Sequence, residues 1–291
     1  MNDYSIWNLE YSYVTNYHMS GIIYGAHNEG HRKLPYCYTL IKGKGKTVMV
    51  DTGYNNEGGG KEMADGFGVE GWHAPEEVLG EVGVNPDEVD TVFITHSHFD
   101  HLGNLPAFKN ATFYMQEREL DAWIKTMSLP DYLKWPMVAV DPDDIMRAVD
   151  LVKQGRMNLI NGDLENVLPG IDLFAAIDTH TPGSMYVRVR NDGPDLNNAW
   201  IIAGDLVYTY EQFGGRPNAE GVYFPVGLAT GSQQNLVDVM DVMVKQVGDD
   251  YNKIIPIHEV ALKDIFPSRL TQYGLQINEI CLADGETSKV K

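Results

Sequence analysis

The 291-residue chain is poor in cysteine, in basic side chains and in long apolar runs, and each shortage removes a class of protein. Its two cysteines, Cys37 and Cys281, each sit in an apolar stretch; they make no disulfide framework and read as reduced core thiols. Lys and Arg number 22 against 41 Asp and Glu, a formal charge of −19. Such a surface repels phosphodiester backbones and anionic lipid head groups, whose binding begins with Lys or Arg neutralising phosphate, so nucleic acid and membranes are poor partners. No stretch approaches the roughly 18 uninterrupted apolar residues of a membrane span. The start of the chain, Met1 to Trp7, has neither the basic nor the apolar region of a secretory signal, so a cytoplasmic location is expected. Pro- or Ser-rich linkers and fixed-period repeats are missing too. What remains is a well-cored sequence, 43% apolar, with strand and helix patterns mixed along its whole length. One α/β domain over 1–291 is expected, with two sheets, because strand runs cluster in both halves.

Residues 34–41 and 47–51 are β-rich runs on either side of Lys-Gly-Lys-Gly-Lys and make a hairpin. Residues 54–74 hold six glycines, several acids and Trp72, and read as a long irregular loop, either a flexible surface loop or a flap over a pocket. Pro75, Glu76 and Glu77 open a short helix through Val82, and Thr91–Thr95 reads as a buried strand. Further strands are expected at 111–115, 171–177, 185–190, 199–203 and 253–257, and further helices at 117–127, 141–152, 232–247 and 270–280. In the 232–247 helix, Leu236, Val239, Met240, Met243, Val244 and Val247 form one stripe behind a Ser232 N-cap, so its methionines are packing residues. The region about 116–160 is a helical elaboration carrying Trp123, Met127, Trp135, Met137 and Met146, with the role of lid, pocket wall or subunit contact left open. The polar tail 284–291 is expected to fray.

The chemistry concentrates after the strand at 91–95. Thr95-His96-Ser97-His98-Phe99-Asp100-His101 packs three of the nine histidines into six positions. Imidazole and carboxylate are ligand types that borderline metals take, and a turn after a strand can aim alternate side chains at two neighbouring ions. Four ligands are too few for a pair of ions. Others stand just past other strand runs: His180 after 171–177, Asp205 after 199–203 and His258 after 253–257. Any one of these alone reads as a packing or surface residue; joint occurrence with the 96–101 cluster reverses that. His18, His27, His31 and His73 lack such company and stay as surface or pocket residues.

With Asp51-Thr-Gly, His96-x-His98-x-Asp100-His101, His180-Thr-Pro-Gly, Gly204-Asp205 and His258 in this order over about residues 34–260, the chain resembles the metallo-β-lactamase superfamily, in its N-acyl-homoserine lactonase-like branch. The resemblance implies an αββα sandwich of two mixed sheets flanked by helices. It implies that His96, His98 and His180 hold one metal ion, that Asp100, His101 and His258 hold another, that Asp205 bridges them and that Asp51 steadies the His loop from behind. Tyr208 matches a tyrosine that lactonase-like members keep three residues after the bridging Asp to hydrogen-bond the substrate carbonyl. Ser184 stands where a further His is common. The implied function is a hydrolase with two divalent ions, zinc first, with iron, manganese or cobalt as alternatives. A metal-bridging hydroxide would open a lactone or cleave an ester of a small molecule, with Asp100 or Asp205 carrying the proton to the leaving oxygen.

The aromatic run Tyr210, Phe213, Tyr223 and Phe224 beside the ligand segment points to an alternative if it lines the pocket: an activated aromatic substrate, either a nitroaryl methyl ether or an aromatic lactone. A glyoxalase-type thioesterase and a non-enzymatic binding subunit are further alternatives. By the same resemblance the chain is expected to form a homo-oligomer, or to pair with a related second subunit.

Overall fold

A computed structural model describes residues 2–193, 198–216 and 219–291. In chain order these form β1 (Tyr4–His18), α1 (Met19–Ile22), β2 (His31–Gly43), β3 (Lys46–Val50), α2 (Gly58–Phe67), β4 (Val69–Glu70), α3 (Pro75–Gly80), β5 (Thr91–Phe93), α4 (Phe99–Leu102), β6 (Thr112–Gln116), α5 (Glu117–Met127) and α6 (Pro142–Lys153). There follow β7 (Met157–Ile160), β8 (Leu164–Leu168), β9 (Ile171–Ile177), β10 (Gly183–Arg190), β11 (Ala199–Ile202), α7 (Gln233–Gln246), β12 (Ile254–Ile255), α8 (Leu262–Ile265), β13 (Ser268–Leu270) and β14 (Gln276–Cys281). Among the described residues the strands make two sheets. The larger has the order β13-β14-β1-β2-β3-β5-β6-β7, with β4 paired to β1; the smaller has the order β12-β11-β10-β9-β8.

Successive side chains of a strand face opposite ways, and this alternation builds the layers. Val48, Val50 and Phe93 of the larger sheet meet Leu173, Val187 and Ile202 of the smaller in one buried layer between the sheets. Their neighbours Met49, Val92, Tyr186 and Ile201 belong instead to the layers under the helices. There α5 and α6 lie on β6 and β7, and α7 lies on β9. Leu120, Trp123, Ile145 and Ala148 fill the first contact, and Leu236, Met240 and Met243 fill the second. The result is helix, sheet, sheet, helix: the αββα sandwich that the resemblance implied.

Strands β3, β5, β6 and β7 run parallel. In the other sheet β9 and β11 are both antiparallel to β10, and β12 is parallel to β11. Asp51, the His96–His101 segment, His180, Asp205 and His258 therefore all sit just past the C-terminal ends of strands, β3 and β5 on one side and β9, β11 and β12 on the other. The Met185 N–H donates to the Thr95 carbonyl at 2.8 Å and joins the two sheets at that edge.

Several segments depart from the sequence-based expectation. The glycine-rich stretch 54–74 is largely ordered: α2 ends at Gly68, whose left-handed backbone (φ 72°) lets its N–H return to the Ala64 and Asp65 carbonyls, and β4 pairs with Tyr13 and Val14. The stretch 270–280 is a strand pair, not a helix. Gly274, at φ 82°, turns the chain between β13 and β14. The tail is tied down: Asp284 N–H donates to the Asn2 carbonyl, Lys289 N–H to Glu279 and Arg269 Nε to the Lys289 carbonyl. Strand β1 was not anticipated: Ser5, Asn8, Glu10 and Ser12 alternate with Tyr4, Ile6, Leu9 and Tyr11, but the phase slips at Ile6–Trp7, where its pairing with β14 is irregular, and its polar residues are buried as well. Cys37 is buried, Cys281 half-buried, and both are free. No helix among the described residues is long and apolar enough to cross a membrane.

One buried carboxyl outside the strand-end cluster makes stability sensitive to pH. Asp144 of α6 has no exposed surface. Burial, with Asp141 beside it, outweighs its ion pair with Arg147 and pushes its pKa up to about 7. The folded state thus keeps a proton that the unfolded chain releases near pH ~4. The stability this proton contributes is complete below about pH 4 and is lost as pH rises through about 7. Asp144→Asn is expected to flatten the fall in unfolding free energy over that window, read from urea titrations at a series of pH values.

Candidate metal centre

The His loop is held at both ends by one carboxylate. Asp51 follows β3 in the left-handed conformation (φ 65°). Its Oδ1 accepts the Thr95 N–H at 2.7 Å, and its Oδ2 accepts both Thr95 Oγ1–H at 2.8 Å and His101 Nδ1–H at 2.7 Å. Next to it, the Thr52 N–H and hydroxyl donate to the His101 carbonyl at 2.8 and 2.9 Å. Gly103 permits this closeness, since a Cβ there would meet Tyr54 Cα at 2.7 Å. Gly204 does the same for Asp205. At φ 53°, with the Thr95 side chain 2.8–3.0 Å from the position a Cβ would take, glycine alone fits.

All seven residues singled out in the sequence converge, and all are buried. Asp205 stands in the middle. Its Oδ2 lies 3.1 Å from His180 Nε2 and 3.6 Å from His96 Nε2, while its Oδ1 lies 3.0 Å from His101 Nε2 and 3.2 Å from His258 Nε2. The donor atoms fall into two groups, His96, His98, His180 and Asp205 in one and Asp100, His101 and His258 in the other, each within 4.8 Å. His180 Nε2 and His98 Nδ1 are 3.0 Å apart. The Nε2 atoms of His96 and His101 are buried with no well-oriented hydrogen-bond partner, despite the nearness of Asp205. Buried nitrogens turned on a shared centre and left without a partner are what divalent metal ions satisfy.

The electrostatics agree. Burial, then the neighbouring His101, pushes His96 well below the usual imidazole range. Burial and His180 bring His98 down to about 3. Burial opposes charge on Asp205, yet His101, His258, His96 and His180 outweigh it and hold that carboxyl well below its ordinary value; His101 does the same for Asp100. His101 goes the other way: against burial, Asp205, Asp100 and Asp51 raise it well above 6.5. Neutral His96 and His98 beside ionised carboxylates are the protonation states that metal ligation requires, and surroundings that keep a proton on His101 attract a cation equally.

A further anchor was invisible in the sequence. Glu119 of α5 is fully buried; its Oε1 accepts the Ser97 N–H and Trp123 Nε1–H, both at 2.8 Å, and its Oε2 accepts Thr181 Oγ1–H at 2.8 Å and the Gly183 N–H at 2.7 Å. It therefore clips the His loop to the His180 loop. Only a four-donor tally across three segments would reveal it, and no local motif carries that. Ser184, where a further His was common, bonds to Thr181 at 2.7 Å within the same loop. His258 Nδ1–H donates to the Pro35 carbonyl at 2.6 Å, which turns Nε2 toward Asp205. Tyr208 Oη–H donates to Asp205 Oδ2 at 2.9 Å, and burial together with that carboxylate raises its phenol well above 10.

The cleft over this cluster is walled by Tyr17, Tyr36, Phe67, Phe99, Tyr208 and Leu228, among others. The aromatic run expected there is elsewhere. Phe213 stacks on Tyr251 and meets Tyr223 edge-on, Tyr210 leans on Tyr251, and Phe224 lies under Arg216. None of the four borders the cleft. The run's chain position beside Asp205 misled, because the 3-10 turn Tyr210–Phe213 directs it away. His18 and His31 pair edge-on, and His73 stacks on Tyr273, outside the cluster.

Residues 36–258 match the model of the metallo-beta-lactamase superfamily. An N-acyl homoserine lactonase of Bacillus sp is 29% identical over 220 residues, 70% of this chain and 76% of that protein. A crystal structure of a quorum-quenching N-acyl homoserine lactone lactonase superposes over 91% of this chain and 96% of its own, with a TM-score of 0.62 and 18% identity. Another, of an N-acyl homoserine lactone hydrolase with the product N-hexanoyl-L-homoserine bound at the catalytic metal center, covers 91% of this chain and 97% of its own at a TM-score of 0.61 and 20% identity. At those identities the superpositions speak for the fold, and the family match spans the whole donor cluster. The chain thus belongs to the metallo-beta-lactamase superfamily of metal-dependent hydrolases, on the side where the N-acyl homoserine lactonases stand.

Proposed function

We propose that the seven residues hold two divalent metal ions and that the chain hydrolyses a small molecule, opening a lactone or cleaving an ester. One observation carries this reading: the two oxygens of Asp205 face two separate sets of imidazoles. His96, His98 and His180 would share one ion with Oδ2, and Asp100, His101 and His258 the other with Oδ1. Five imidazoles and two carboxylates without a thiolate suit zinc, and in ligand type also iron, manganese or cobalt. When bound, such ions supply Lewis acidity and an activated water for attack on a carbonyl carbon.

The rest falls to the chain's own groups. Tyr208 keeps its proton over the whole working pH range and is within reach of the centre, so it can donate to a carbonyl oxygen as charge builds there. Asp100 is held ionised and can accept a proton and pass it to the leaving oxygen. The lactonases among the relatives support the lactone. A second reading has its own support: five aromatic rings and, among the described residues, no Lys or Arg wall the cleft, which favours contact with an aromatic substrate, either an aromatic lactone or a nitroaryl methyl ether whose methoxy group leaves as methanol.

Elemental analysis of the purified chain is expected to return two metal ions per molecule; less than one would leave hydrolysis without its nucleophile. Product analysis on a lactone, an ester and a nitroaryl methyl ether is expected to yield the hydroxy acid from the first, whereas release of methanol and a nitrophenol alone would replace the lactone reading by the second. Tyr208→Phe is expected to keep its metal and to lose on the order of 10²-fold in kcat, the usual effect of removing one donor to a developing oxyanion. Asp51→Asn turns one of the two terminal oxygens into a donor and so cannot accept from both the Thr95 N–H and His101 Nδ1–H. Its metal affinity, measured by chelator competition, is expected to fall about 10–100-fold.

A further inference from the structure

The cleft over the donor cluster has about 20 Å³ of free space, room for about a water molecule, so the greater part of an organic substrate must lie outside it. Its wall residue Leu228 has a second role. It also borders an open groove of about 580 Å³, whose other side is Tyr132, Trp135, Met137 and Val138. Ala139, the next residue along, is back in the wall of the cleft. Cleft and groove are therefore neighbours, separated by Leu228 on one side and by the 137–139 backbone on the other.

The groove leaves unusual surface in water. Tyr132 is 82% exposed and Trp135 64%, and both belong to one segment whose turns, Asp131–Leu133 and Trp135–Ala139, lie between Pro130 and Pro142 with Pro136 inside. Proline fixes backbone angles before any ligand arrives, so these rings are presented at little entropic cost. Exposed rings clustered beside a reactive centre mark a binding surface. The charges on the groove, Asp131 and Lys134, pair with each other at 3.0 Å, so it carries no net formal charge and favours an uncharged, apolar occupant. An indole, a phenol and a thioether also give an arene ring stacking and sulfur contacts that an alkyl chain of equal area does not collect.

We infer that this groove is the outer half of the substrate site and binds an uncharged aromatic group of the molecule whose reacting carbon reaches the donor cluster, with Leu228 as the partition between them. The identity of the reacting end rests on the hydrolase reading above; the groove's preference for an arene does not.

The full chain labelled with 5-fluorotryptophan reads the groove without any turnover. The Trp135 fluorine resonance, assigned by its loss in Trp135→Phe, is expected to shift saturably with 3-phenylpropan-1-ol and to need a several-fold higher concentration of hexan-1-ol, an alcohol of similar hydrophobicity. In turnover, the preference in kcat/KM for a phenyl-bearing over a hexyl-bearing γ-butyrolactone is expected to fall about 3–10-fold in Trp135→Ala, with metal content unchanged. Absence of a shift, or an equal or stronger response to hexan-1-ol, overturns the inference. So does a Trp135 shift that follows protein concentration without any alcohol, because a second copy would then cover the groove. If neither lactone is opened but the arene still binds, the hydrolase reading fails and the groove assignment stands.

Discussion

A carboxylate buried among imidazoles is the constraint on which the rest of this molecule depends. Taking Asp205 out of water costs several kcal/mol unless opposite charge or hydrogen bonds surround it, and here four imidazole edges from three chain segments lie within 3.0–3.6 Å of its two oxygens. The His96–His101 segment follows β5 of the larger sheet, whereas His180 and His258, like Asp205 itself, follow strands of the smaller one, so the two sheets must end at the same height. The layer between them, Val48, Val50 and Phe93 against Leu173, Val187 and Ile202, sets that height. A shift of one residue in either sheet would turn every side chain to the opposite face and separate Asp205 from His96 and His101.

Two further buried carboxylates take up what the sheets leave loose. Asp51 fastens the beginning and the end of the His loop, and Glu119 fastens its middle to the loop of His180. Gly183 comes so near Glu119 that a Cβ would sit 2.3 Å from its backbone nitrogen. The donor atoms are thus held by backbone contacts that exist before any ion arrives, which is how a protein keeps ligands in geometry while they repel one another. Mutual compensation among the charges follows from the same packing: ionised Asp205 and Asp100 balance His101, and burial keeps His96 and His98 neutral.

Much of this was legible in the sequence, and the failures have physical causes. The seven polar residues were findable because few residue types suit a metal and because each stands just past an apolar strand run. The sandwich's central strands stood out as short apolar runs. Strand β1 did not, since Ser5, Asn8, Glu10 and Ser12 interrupt its apolar residues and the phase slips at Ile6–Trp7. Leu270, Ile277 and Ile280 fall at helix-like spacing, yet Gly274 turns the chain and makes them parts of two strands. Three consecutive glycines hid α2, whose helical state is fixed by tertiary packing of Ala64 and Gly60 and by the Gly68 cap rather than by propensity. Glu119 looked like any acid in the first turn of a helix.

The same contrast separates chemistry from specificity. A ligand position accepts few residue types, here His and Asp, so it leaves a mark that survives in one dimension. A cleft wall needs shape and apolarity alone, and many residues at many chain positions supply those. Tyr17 and Tyr36 come from β1 and β2, Phe67 from the helix in the glycine-rich stretch, and Leu228 from a connection before α7. The wall is therefore assembled in part from β1 and α2, which the sequence did not reveal, while the aromatic run nearest the ligands in the chain packs elsewhere. Substrate choice can thus change by substitution at β1, α2 or the 131–138 segment without touching a donor residue, because none of those elements contributes an atom to the cluster around Asp205.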